Sequence, residues 1–114
     1  MKRKIIGILS AALVAIMVMG APVHAATQTF TSSGQSFSEP WELAYENPNV
    51  WKIVYGYNVF LIHEDYTHGY NFSKHHVATV TNANGAFSKD NIPAHWAKIE
   101  VTHSGSYVTY SISY

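Results

Sequence analysis

From residue 51 onward the apolar side chains of this chain recur at every second position. Trp51, Ile53, Tyr55, Tyr57, Val59 and Leu61 share one parity, and Lys52, Val54, Gly56, Asn58, Phe60 and Ile62 the other. A second run sets Ala97, Ile99 and Val101 against Lys98, Glu100 and Thr102. A third places Val108, Tyr110, Ile112 and Tyr114 on one side of the final segment. Successive side chains of a strand point to opposite faces, so a sustained period of two commits these segments to half-buried strands and leaves no amphipathic helix among them.

The punctuation between the runs sets the expected organisation. Thr27 to Thr31 is an entry strand. Ser38 to Asn47 is expected as a short helix, with Ser38 as its cap, Pro40 in the first turn, and Trp41, Ala44 and Tyr45 on one face. Asn47-Pro48-Asn49 ends it. Gly56 interrupts a strand interior and predicts a bulge or bend. His63 to Phe72 is polar and is expected as a loop, followed by a strand from His76 to Thr81. Asn82-Ala83-Asn84-Gly85 is a hairpin turn, with a short partner strand from Ala86 to Lys89. Asp90 to His95, with Pro93, is a further loop. His103-Ser104-Gly105-Ser106 joins the last two strands. Short strands separated by turns, with no long helical period, predict an all-β fold, a small antiparallel β-sandwich.

The first 25 residues are built differently. Lys2, Arg3 and Lys4 precede an apolar run from Ile5 to Met19 that is short for a membrane span, and Gly20 and Pro22 lead into Val23-His24-Ala25. This is the pattern of a secretory signal peptide cleaved between Ala25 and Ala26, the rival being an uncleaved N-terminal anchor. The expected division is therefore 1–25 leader, 26–50 N-terminal extension and 51–114 sandwich domain, in a secreted, extracellular protein. Removing the leader takes three of the seven basic residues and leaves four lysines against seven carboxylates, a body at −3 with neutral His. An acidic body argues against nucleic acid as a partner and against charge-driven attachment to anionic lipid. With no second hydrophobic stretch, stable membrane insertion of the mature chain is not expected. The absence of Cys excludes disulfides and thiolate chemistry.

Six histidines, His63, His68, His75, His76, His95 and His103, follow the leader, but without the short paired spacings of a tight zinc site. His75 and His76 are adjacent, so on a strand they face opposite ways. No metal or cofactor is expected. No Gly-x-Ser-x-Gly elbow is present. Glu64, Asp65 and Glu100 supply carboxylates but no recognisable pairing for hydrolysis. The expectation is a protein that binds, with no catalytic residues.

Aromatic residues form 14 % of the chain and charged residues 12 %, so the rings must serve as core, as recognition surface, or as both. Trp51 and Trp96 fit a core. Tyr55 and Tyr57 share a strand face with Trp51, and Tyr66 and Tyr70 fall in the expected loop. Lys52, Lys74 and Lys98 are the cations available to a phosphorylated target. The candidate target-binding set is Trp51, Tyr55, Tyr57, Tyr66, His68, Lys74 and His76.

The stretch from Trp51 to the end resembles the lactococcin 972 family of secreted bacteriocins. The resemblance is carried by the order and spacing of Trp51, Tyr55-Gly56, Tyr66-Thr67-His68-Gly69, Ser73-Lys74-His75-His76-Val77-Ala78-Thr79-Val80, Asn82-Ala83-Asn84-Gly85, Trp96-Ala97-Lys98 and the aromatic-ended strand Tyr107 to Tyr114. The chain departs from the pattern in its added residues before Trp51, in Ala94-His95 where a Gly is usual, and in the apolar Asn58 to Ile62 where a Ser-rich stretch is usual. The resemblance implies a secreted antibacterial β-sandwich, with a homodimer among its assemblies. It further implies that the protein inhibits septum formation by engaging the cell-wall precursor lipid II and does not form pores. The alternative is a secreted wall- or carbohydrate-binding module without killing activity.

Overall fold

The computed structural model describes residues 26–114. The expected leader and its cleavage site at Ala25 lie outside the described residues. Eight strands follow in order: β1 (Thr27–Thr31), β2 (Trp41–Asn47), β3 (Trp51–Asn58), β4 (Glu64–Asn71), β5 (His76–Asn82), β6 (Gly85–Asn91), β7 (Trp96–Thr102) and β8 (Thr109–Ser113). They form two four-stranded sheets, β1-β8-β5-β6 and β2-β3-β4-β7, antiparallel throughout. The protein is an all-β sandwich. Among the described residues no helix is long and apolar enough to cross a membrane.

The alternating runs supply the core. Trp51, Ile53, Tyr55 and Tyr57 of β3 face Ala78 and Val80 of β5 and Tyr110 and Ile112 of β8, all buried. Each face buries because every second side chain is apolar, and the facing sheets close over them. Aromatic contacts fill the middle. The Tyr55 ring lies 4.7 Å from Tyr110 and 5.4 Å from Phe30, and Trp41 stands edge-on to both Tyr55 and Tyr110. Edge-on and offset contacts are the geometries the ring quadrupoles favour.

Several expectations change, beginning with Gly56, where no bulge interrupts the register and Glu42, Gly56 and Tyr66 stay paired. Ser38 to Asn47 is not a helix: Trp41, Leu43 and Tyr45 pack inward from β2, an edge strand registered on β3 from Trp41↔Tyr57 to Asn47↔Trp51. A window this short fits both periods, and pairing to β3 decides it. His63 to Phe72 is mostly strand, because β4 runs through it. Its inward side chains at 65, 67 and 71 are polar and hide the alternation, yet each makes hydrogen bonds, although Asn71 Nδ2 has no partner among the described residues. Asp65 meets Asn82 and His103, Thr67 donates to the Thr79 carbonyl at 3.0 Å, and Asn71 Oδ1 accepts the backbone N–H groups of Ser73 and Lys74. The run from Trp51 ends at Asn58, so Val59 and Leu61 do not continue the buried face.

Residues 26–50 are also built into the sandwich rather than standing before it. β1 pairs along its full length with β8, β2 does so with β3, and Ala26 and Tyr114 exchange backbone hydrogen bonds of 2.9 Å.

Candidate functional site

Of the seven side chains expected to meet a target, four point inward, and a fifth, Tyr66, is also buried at 6 % exposure although it stands on the outer face. Trp51, Tyr55 and Tyr57 are core residues, 7 %, 2 % and 1 % exposed. His76 is fully buried, with Nδ1 2.8 Å from the Lys74 carbonyl and Nε2 2.8 Å from the His95 carbonyl. It is a strut that ties the β4–β5 connection to the β6–β7 connection. The parity that makes β3 a strand also turns its odd-numbered rings away from solvent. Tyr66 and His68 do lie on the outer face of β4, and Lys74 is exposed in the connection that follows.

That outer face, on the sheet β2-β3-β4-β7, is where the structure gathers aromatic and cationic groups. The register builds it row by row. Trp96, Tyr70, Lys52 and Glu46 align in one row, Lys98, His68, Val54 and Ala44 in the next, and Glu100, Tyr66, Gly56 and Glu42 in the third. The Tyr70 ring stands 5.2 Å from Trp96 and 5.0 Å from Phe72. Lys52 Nζ sits over both Tyr70 and Phe72, 5.5 and 5.4 Å from their centroids. The negative ring faces hold the ammonium in place while it remains at the surface.

The third row is more closed. The Tyr66 hydroxyl donates to Glu42 Oε2 at 2.7 Å, and its ring lies 5.1 Å from His68. Burial, then the bond to the Glu42 carboxylate and the charges of Glu42 and Glu100, push the Tyr66 phenol up, so it serves as a neutral donor. His68 Nε2 meets Glu100 Oε2 at 3.0 Å. These partners fix the ring orientations without covering the Trp96 end of the face.

Trp96 was expected between the sheets. It is half-buried on the outside, because the same alternation that buries Ala97 sends Trp96 the way of Lys98. Tyr70, Phe72 and Trp96 therefore join Lys52 as surface groups that the sequence reading left out of the candidate set. Extending the parity of Tyr66 and His68 by two residues would have found Tyr70.

Chemically, a firm sheet carrying two or three half-exposed rings beside an ammonium suits the flat faces of sugar rings and a nearby anionic group. Among the described residues, no group of three or more His, Asp or Glu side chains is arranged to hold a metal ion. No protein-family model, curated protein or solved structure matches the chain.

Proposed function

We propose that this is a secreted antibacterial protein that acts by binding, not by catalysis, and that its target belongs to cell-wall synthesis at the septum. The observation that carries this reading is the Trp96–Tyr70–Phe72 cluster with Lys52 across it. Rings of this kind take sugar faces, and an ammonium takes a phosphate oxygen. Lipid II, a sugar pyrophosphate on a polyprenyl chain, has both. The resemblance to the lactococcin 972 family supports the same target, and exposed Lys74 supplies a second cation close to Phe72 in the chain.

The experiment applies the chain beginning at Ala26, which contains every strand of both sheets, to growing Gram-positive cells. Growth arrest with blocked septation and an intact membrane potential is expected, with relief by added purified lipid II. Lys52→Ala combined with Trp96→Ala should abolish the effect. Binding to cell walls without growth arrest would instead favour a wall-binding module. Dye entry within minutes at the inhibitory dose would overturn the receptor reading.

A further inference from the structure

The β3–β4 connection breaks the rule that apolar side chains in this protein face inward. Val59, Phe60, Leu61 and Ile62 are consecutive and 42 %, 76 %, 87 % and 48 % exposed. Single exposed apolar residues are ordinary, but four in a row at the tip of a hairpin are not. The backbone is shaped to hold them out. Leu61 has φ of +67°, and the Ile62 N–H donates to the Phe60 carbonyl at 2.7 Å. This is a γ-turn of the rare positive-φ kind, with a leucine at its apex where glycine would be the unstrained choice. Strain of this sort persists only where the surroundings over-determine it. Here the base of the loop is pinned three times. Asn58 Oδ1 accepts the Phe60 N–H at 3.3 Å, the Tyr57 hydroxyl and His63 Nδ1 share a bond of 2.8 Å, and the His63 carbonyl accepts the His103 N–H at 2.9 Å.

The surroundings of the tip carry little charge. Four connections gather at this end of the sandwich, covering residues 32–40, 59–63, 83–84 and 103–108. Glu39 is the one carboxylate among them, Glu64 and the buried Asp65 follow at the loop base where β4 begins, and none of the four lysines of the described residues lies in any of these connections. Tyr107, 57 % exposed, is in the last of these connections. A phenol with an apolar ring and a polar tip is suited to the lipid headgroup level.

We propose that the β3–β4 loop is an interfacial lipid anchor: Val59 to Ile62 enter the headgroup–acyl boundary of a bilayer, shallowly and reversibly, with Tyr107 on the same end of the sandwich. A convex tip of four residues is far too small for a stable protein interface, which buries roughly 800 Å² on each partner. A bilayer needs no complementary groove. Without a lysine at this end, and with His63 and His103 held by Tyr57 and Asp65, attachment is apolar and does not select anionic lipid. Such contact is no membrane span and needs no pore. It is independent of which receptor the outer sheet face takes: the Lys52–Tyr70–Trp96 row lies six residues along the strands from Asn58 and Glu64, about 20 Å from the tip at ~3.3 Å per residue.

The test uses phosphatidylcholine vesicles free of any cell-wall precursor and loaded with a self-quenched dye. The chain from Ala26 should co-sediment with them, remain bound in high salt and release no dye. Phe60→Ser with Leu61→Ser should weaken partitioning about tenfold or more while leaving the melting temperature unchanged, because both side chains are exposed. Trp96→Ala should bind vesicles as the parent does. The anchor is overturned if the parent stays in the supernatant, if the double variant binds equally well, or if binding requires anionic lipid and disappears with salt. A parent that elutes as a dimer and a double variant that elutes as a monomer would make the loop a self-association surface and also overturn it. Septation arrest by a chain that ignores these vesicles would leave the receptor reading standing and remove the anchor alone.

Discussion

The Tyr66 hydroxyl reaches Glu42 by passing over the strand between them, at the one position of that row without a side chain. Glu42, Gly56 and Tyr66 stand opposite one another in register across β2, β3 and β4, and the hydrogen bond that spans them is 2.7 Å long. Gly56 is needed for a second reason. A Cβ there would fall on the Trp41 carbonyl oxygen and stand 3.0 Å from Glu42 Cα, both backbone atoms of β2. Gly56→Ala must therefore push β2 from β3, with an expected loss of about 3 kcal/mol. Tyr66→Phe removes only the bond to a carboxylate, about 1–2 kcal/mol. Urea unfolding of both variants checks the order, and equal midpoints for Gly56→Ala and the parent would contradict the close approach.

The two tryptophans that look alike in sequence should separate by stability. Trp51 is buried among Ile53, Tyr55 and the β8 side chains, so Trp51→Ala is expected to remove roughly 3–5 kcal/mol, comparable to the whole stability of a small domain. Trp96→Ala loses chiefly a ring contact with Tyr70, about 1 kcal/mol. Thermal melts distinguish them: Trp51→Ala should be largely unfolded and Trp96→Ala folded but unable to arrest septation. A Trp96→Ala protein that unfolds would return Trp96 to the core.

Alternation made the sandwich legible from β3, β7 and β8, whose inward residues are apolar and whose outward residues are mostly polar. β4 was not legible, because Asp65, Thr67 and Asn71 face the interior. Only their partners on other strands, such as Asn82 and Thr79, make such burial tolerable. β2 reads as a helix because Trp41 and Tyr45 are spaced to share a helix face as well as a strand face. The candidate surface failed by parity. Trp51, Tyr55 and Tyr57 do share one face, but nothing local says which side of a strand meets the second sheet. That is settled by pairing over long sequence separations, as between β1 and β8.

Within the core, hydroxyl and amide groups differ in what they contribute. The Tyr110 side chain is fully buried, and its hydroxyl has no hydrogen-bond partner among the described residues. Tyr110→Phe removes that desolvated oxygen while keeping the ring against Tyr55 and Trp41, so a gain of about 1 kcal/mol is expected. Asn82→Ala should move the other way. It strips one Nδ2 group that serves both the Asp65 carboxylate and the Thr102 carbonyl, each at 2.9 Å, and should cost about 2 kcal/mol. Chemical denaturation gives both signs, and a destabilised Tyr110→Phe would mean that the hydroxyl has a partner after all.

Alkali should unfold the protein through its buried phenols. Burial is the main cause that pushes Tyr55, Tyr66 and Tyr110 well above the ordinary tyrosine value of 10.0. Tyr45 adds to it at Tyr55, Glu42 at Tyr66 and the Asp65 charge at Tyr110. In the unfolded chain these phenols lose their protons near pH 10, as free phenols do (about 10), whereas the folded chain keeps them. Above that pH the native state binds more protons than the unfolded state, so stability falls as pH rises. Below it the contribution of the tyrosines is fully present. Each phenol held in this way adds about 1.4 kcal/mol per pH unit to the downward slope. Tyr66→Phe removes one of the three and should flatten the slope by that amount, even though the variant is less stable at neutral pH. Urea midpoints collected across the alkaline range, with tyrosinate absorbance followed in parallel, read both quantities. Parent and variant lines of equal slope would show that Tyr66 ionises in the folded protein and is not closed off beneath Glu42.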